Sequence, residues 1–252
     1  MSPVKNNKKY RRRNNFLINL IKIKRFLFFA ACVILAFAFI LTASANSDVF
    51  GKKEDKKYVA LTFDDGPHPV YTQKILDILE EKKVTATFFV VGSRAELHPD
   101  KIKRMKKMDC EIGNHTYSHA DLWAASRSKT VAEIEKCSAA IFAITGEEPI
   151  IYRPPFGRIR KDNENCVPLR KILWTVDSLD WNTKSKDRVI NNIVNNVKDG
   201  SIVLMHDFYN STLSALPEII DILREAGYEF KTVSELAAME KISNLQEYFM
   251  DE

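Results

Sequence analysis

From residue 58 onward, short apolar runs rich in β-branched and aromatic residues alternate with longer stretches of helical period. Few architectures accept that rhythm. Residues 58–63, 85–91, 111–114, 150–152, 172–176, 201–205 and 228–232 read as strands. Residues 72–82 carry Ile75, Leu76, Ile78 and Leu79 at helical spacing. Residues 99–108 form a basic helical stretch, and 187–197 another helix. Residues 129–145 are expected to end at Gly146, and 214–226 at Gly227. Alternating β and α units imply a mostly parallel sheet covered by helices, either a barrel or an open sheet. Residues 158–170 break the rhythm. They are polar, with Pro168 near their end, and read as a loop or one short helical turn.

The net charge of +5 would point to an anionic partner if it were spread evenly. It is not. Residues 1–25 hold nine Lys and Arg and no acid, so the rest of the chain is left at −4 once those nine are removed from +5. A nucleic-acid partner is therefore not expected. Residues 26–45 follow as an uncharged, mostly apolar run long enough to cross a bilayer as a helix. The basic flank would keep the N-terminus in the cytoplasm. Ala43-Ser44-Ala45 also fits a signal-peptidase site, so a retained anchor and a signal cleaved near Ala45 both remain open. Either leaves the later residues outside the cytoplasmic membrane. Residues 46–57 read as a linker, 58–240 as the folded domain and 241–252 as a tail. Cys110, Cys137 and Cys166 show no metal-ligand spacing and are expected as buried free thiols.

Five polar clusters fall at the C-terminal ends of the expected strands, where α/β folds build their sites. Asp64-Asp65-Gly66-Pro67 offers two carboxylates before a turn. His115 and His119 are four apart, and imidazole is a common ligand for Zn²⁺ and similar ions. Two His and one Asp would leave a coordination position for water, as catalytic sites do and closed structural sites do not. Arg153-Pro154-Pro155-Phe156-Gly157 is a stiff loop whose arginine could pair with a carboxylate. Asp177-Ser178-Leu179-Asp180-Trp181 and Leu204-Met205-His206-Asp207 complete the set, with His206 placed like a general acid or base. Taken singly, each has a plain structural alternative. His68 and His98, each beside a proline, receive no functional role.

In this order, the five clusters resemble the polysaccharide deacetylase family with the NodB homology domain, also called carbohydrate esterase family 4. The resemblance spans residues 58–236 and lies nearest the peptidoglycan N-acetylglucosamine deacetylases. It implies a distorted (β/α)7-type barrel, here behind one N-terminal transmembrane helix. It also implies Asp64 as general base, with Asp65, His115 and His119 as ligands to one divalent ion. Zn²⁺ leads the candidates, ahead of Co²⁺, Ni²⁺, Mn²⁺ and Fe²⁺. Arg153 would hold the base, the Phe156 N–H would meet the oxyanion, Asp180 would orient the acid His206, and Trp181 and Leu204 would line the groove. The implied substrate is a cell-wall glycan and the product acetate, with a monomer assumed. Alternatives are a chitooligosaccharide deacetylase, an O-acetyl xylan-type esterase, and a catalytically silent wall-binding module. Two departures stand out. Asp109-Cys110 occupies a place where relatives often have Gly-His, and Asp64-Asp65-Gly66 differs from the Asp-Asn-Gly of relatives acting on muramic acid in spore walls.

Overall fold

The computed structural model describes residues 56–239 together with Lys24. The expected cytoplasmic tail, membrane run and C-terminal tail lie outside the described residues. Among the described residues, no helix is long and apolar enough to cross a membrane.

The fold is a curled, parallel-stranded α/β half-barrel. Its central strand is β1 (Lys57–Asp64), buried from Val59 to its end. Burial on both faces suits the continuous apolar run, as expected of a parallel sheet covered by helices. β1 pairs along six residues with β7 (Ser201–His206) on one side. On its other side it meets β2 (Thr87–Val90) near its C-terminal end and β8 (Tyr228–Phe230) near its start. Beyond β2 come β3 (Glu111–Asn114), β4 (Ile151–Tyr152) and β5 (Arg170–Lys171), and β6 (Val176–Asp177) lies outside β7.

The helices lay their apolar stripes on this sheet. α1 (Tyr71–Lys82) buries Ile75, Leu76 and Leu79, the residues whose spacing predicts it. α2 (Gly92–Leu97) and α3 (Pro99–Lys107) follow β2. The long helix α4 (Arg127–Thr145) starts where the Ser126 hydroxyl accepts the Lys129 N–H, and stops at Gly146, whose φ of 74° suits a residue without Cβ. α5 (Lys161–Glu164) and α6 (Asp180–Thr183) are single turns. α7 (Lys186–Val194) and α8 (Asn210–Glu225) pack between β6 and β8 in sequence, and α9 (Val233–Ala238) opens with a Thr232/Glu235 capping box. Sequence period misses α2, α6 and α9 because each is too short to show one.

Two expectations change. The strand expected over 172–176 is split: β5 ends at Lys171 and β6 begins at Val176. The extended chain between them straps the two sheet edges together. Ile172 N–H donates to the Tyr152 carbonyl at 2.8 Å, and Thr175 N–H to the Ile202 carbonyl at 2.9 Å. The Ile172 and Leu173 carbonyls instead accept from the Arg153 guanidinium at 3.3 and 2.8 Å. A buried arginine thus does the work of a ladder where the half-barrel departs from regularity. Residues 158–170 form a turn of helix, as expected, but hold more apolar anchoring than their composition advertises. Ile159 bridges Leu122 and packs with Tyr152 and Ile134, and the Asn163 amide donates to the Ala125 carbonyl at 3.0 Å.

Candidate metal centre and active-site cleft

The strand ends bring all five clusters to one mouth of the curled sheet. β1 delivers Asp64 and Asp65, and β3 is followed at once by His115. Asp65 leaves the strand in the left-handed region with φ 76°, so its carboxylate turns away from that of Asp64. This backbone is costly for a non-glycine residue. It is braced: the Arg94 guanidinium donates to the Asp65 carbonyl, and the Val91 N–H donates to the Gly66 carbonyl at 2.9 Å. Gly66 is fixed by crowding, since a Cβ there would stand 2.0 Å from the buried Asp207 carboxylate.

Asp65 Oδ1 lies 3.4 Å from His115 Nε2 and 3.0 Å from His119 Nε2. One ligand atom from each of the three falls within 4.8 Å of the others. His115 Nδ1 meets the Arg153 carbonyl at 2.7 Å, which makes it the protonated nitrogen and leaves Nε2 as a lone-pair donor. A His₂Asp donor set oriented in this way fits a divalent transition-metal ion. The loop carrying the histidines is itself held. Glu133 accepts both the Ser118 N–H and hydroxyl at 2.8 Å, and Asn114 Oδ1 accepts the Thr116 N–H at 2.8 Å.

Asp64 sits beside this triad. Arg153, fully buried, donates to Asp64 Oδ1 at 2.7 Å and to the Thr62 hydroxyl at 2.8 Å. The other Asp64 oxygen lies 4.0 Å from His115 Nε2. Across the cleft, His206 Nδ1 meets Asp180 Oδ1 at 2.7 Å, and the His206 N–H donates to Asp180 Oδ2 at 2.7 Å. The Thr212 hydroxyl donates to that same oxygen at 2.5 Å. Asp64, the triad and His206 line a cleft of about 410 Å³, together with the exposed Phe156 and Trp181 and the buried Leu204. Every residue singled out from the sequence is therefore in this cleft or hydrogen-bonded to a residue that is.

The family model for polysaccharide deacetylase matches residues 51–167. A peptidoglycan-N-acetylglucosamine deacetylase of Bacillus cereus is 38% identical over 191 residues, 72% of this chain and 89% of that protein. The chain belongs to the polysaccharide deacetylase family. The peptidoglycan-N-acetylmuramic acid deacetylase PdaC of Bacillus subtilis is also 38% identical, over 187 residues. That match covers 74% of this chain but 40% of PdaC, so this polysaccharide deacetylase chain spans less than half of that relative's length. Among solved structures, a family 4 acetyl xylan esterase from Clostridium thermocellum in complex with a cobalt ion superposes with a TM-score of 0.70 at 35% identity. The superposition covers 73% of this chain and 92% of that one.

Electrostatics separates the roles open to these groups in the polysaccharide deacetylase cleft. Burial opposes charge on Asp65, but hydrogen bonds and attraction from His115 and His119 outweigh it and hold the carboxyl far below its usual range. Burial likewise opposes a cationic His206, yet the Asp180 carboxylate, helped by Asp64 and Asp65, pushes it up to about 9. Burial lowers the Arg153 guanidinium against the pull of Asp64, but an arginine stays charged in proteins.

The sequence offered no signal for several cleft residues. Tyr209 stacks edge-on to His206 with ring centroids 5.7 Å apart, and Trp174 lines the cleft and lies over Arg153 at 5.6 Å. Thr212, on α8, is invisible as a partner of Asp180 until the chain folds. His68 packs on Tyr71 and Phe208 and accepts backbone N–H groups. Cys110 and Cys137 are buried free thiols, which desolvation pushes up to about 11 and 12. Cys166 is free and only half-buried.

Proposed function

We propose that this chain hydrolyses N-acetyl groups from amino-sugar residues of a cell-wall polysaccharide, N-acetylglucosamine of peptidoglycan first among them, releasing acetate. One observation carries the reading: a cation-binding triad, a separate carboxylate and a cationic histidine all face one cleft.

Asp65, His115 and His119 would hold the ion, with Zn²⁺ the leading candidate. A divalent ion there supplies Lewis-acid polarisation of the acetamide and a water that ionises near neutral pH. The remaining work belongs to the chain. Asp64 Oδ2 accepts the proton of the attacking water, while Arg153 fixes Oδ1 and keeps the carboxylate aimed. The Phe156 N–H faces the developing negative oxygen. His206, whose Nδ1 is engaged by Asp180, gives the proton on Nε2 to the departing sugar nitrogen. Leu204 and Trp181 shape the pocket and groove. Thr212 and Asp180 keep the His206 ring from turning, so the donated proton always comes from the same side.

An O-acetyl ester could occupy the same cleft, and the xylan esterase among the similar structures makes that the second reading. The sugar is likewise open between glucosamine and muramic acid, since relatives named for each are equally similar. Acetate release by purified residues 48–252 discriminates. Peptidoglycan glycan and N-acetylglucosamine oligomers should yield chelator-sensitive acetate and free amines. Acetylated xylan turned over faster than either would replace the amide reading with the ester one. A silent wall-binding module is disfavoured by the complete set of base, acid and ligand groups.

We further infer a (β/α)7-type barrel domain over 58–240, carried outside the cytoplasmic membrane by residues 26–45 as an anchor or a signal cleaved near Ala45. The basic flank of residues 1–25 supports that orientation.

A further inference from the structure

The chemistry above gives Asp207 no task, yet its carboxyl is an unfavourable group to bury. It is fully enclosed, Oδ2 accepts the Thr72 hydroxyl, and among the described residues Oδ1 finds no hydrogen-bond partner. A half-matched buried carboxyl costs stability that an apolar side chain of similar size would not.

What Asp207 touches is the turn that carries a metal ligand. It follows His206 at the end of β7, and its N–H donates to the Asp64 carbonyl at 3.3 Å. Its carboxylate fills the space on the Cβ side of Gly66. A Cβ there would run into Asp207, to which its three nearest atoms all belong. Thr72 closes the far end of the turn, because the hydroxyl that donates to Asp207 accepts the His68 N–H at 2.6 Å. Asp64, Gly66 and His68 are thus all tied to Asp207, directly or through Thr72. Asp65 stands among them with φ 76°, a backbone that a non-glycine residue keeps only where its surroundings impose it. Arg94 and the Val91 N–H hold the carbonyls of this turn, and Asp207 holds its Cβ side.

We propose that Asp207 is a positioning residue of the metal centre: with Thr72 it wedges the Asp65–Gly66 turn so that the Asp65 carboxylate meets His115 Nε2 and His119 Nε2. Because Asp207 adjoins His206 in the chain, the same contact ties the strand end of the acid to the turn of the ligand. This rests on the reading of Asp65 as a ligand. Loss of a group that orients a ligand lowers metal affinity about 10- to 100-fold. Asp207 acts through the backbone of the turn, so the low end, about tenfold, is expected.

The test is equilibrium zinc titration of wild type, Asp207→Ala, Gly66→Ala and the double variant, with urea unfolding to confirm that each is folded. Asp207→Ala should raise the zinc Kd about tenfold, since the turn loses its backing. Gly66→Ala should raise it at least as much, since the new methyl pushes against the carboxylate. In the double variant that methyl takes the space of the missing carboxylate. Its Kd should fall below that of Gly66→Ala, well short of the product of the two losses. Wild-type zinc affinity in folded Asp207→Ala, with only the urea midpoint lowered, would make Asp207 purely structural and overturn the proposal. Losses that simply multiply in the double variant would overturn it as well. Should Gly66→Ala fail to fold, Asp207→Ala alone decides. Absence of a tight zinc site in wild type is a different result, and it counts against the triad itself.

Discussion

The Asp64 wall and the His206 wall of the cleft both bury charge, but with different partners. On the first, Asp64 is matched by the guanidinium of Arg153, a group that does not titrate in proteins. On the second, His206 is matched by Asp180, and its proton can leave and return. The contrast suits the proposed division of work. A permanent charge opposite Asp64 holds that carboxylate aimed, as the proposed proton acceptor requires. A titrating partner opposite Asp180 keeps a proton in store, as a donor requires. The same arginine also caps the carbonyls of the strap between β5 and β6, whereas on the His206 wall it is the acid, Asp180, that ties the pair to the backbone by accepting the His206 and Trp181 N–H groups.

Variants on the two walls should therefore fail differently. The largest effect is expected at the triad itself. His115→Ala should abolish acetate release, since it removes a ligand, and acetate assays at saturating zinc would check this. Next comes His206→Ala, which should lower kcat by about 10²- to 10⁴-fold, the usual worth of a positioned acid, with the fold intact. Single-turnover kinetics would show whether the loss lies in chemistry. Arg153→Met should mainly cost stability. It strands a buried Asp64 and frees two strap carbonyls, so urea unfolding should report a loss of about 3–5 kcal/mol. A destabilisation no greater than that of His206→Ala would erase the contrast between the walls.

The smallest effect concerns pH. The folded state raises His206 above its ordinary 6.5 to about 9, so folding favours the cation. The stability this contributes is fully present below about pH 6.5 and is lost as pH rises through 9. Activity should fall on the same alkaline side as the donor loses its proton. An ion on Asp65 cancels part of the field that raises His206, so the loaded enzyme should turn down somewhat below 9. Asp180→Asn should move that limb further toward 6.5. A pH–kcat profile with an unmoved limb would mean that some other group donates the proton.

The legibility of the chain follows the same physical lines. β1, β2 and β7 were readable because a strand buried on both faces is apolar along most of its length, and α1 and α4 because one buried stripe forces a 3.6-residue period. The chemistry-bearing residues were readable because they follow the strands directly in sequence. The strap over 172–175 was not, because only its two ends bond to neighbouring strands, while the Ile172 and Leu173 carbonyls take the Arg153 side chain as their partner. Nor were Thr212, Trp174 and Tyr209, since a threonine on a helix or an aromatic in a loop looks the same whether or not it meets a catalytic group. The short helices α2, α6 and α9 escaped for want of length.

Equilibrium zinc titration of wild type, His115→Ala and His206→Ala tests the arrangement most directly. One tight site should be found in wild type and in His206→Ala, and none in His115→Ala. Tight binding that survives the loss of His115, or that disappears with His206, would mean the ion is held by other side chains and that the division between the two walls is wrong.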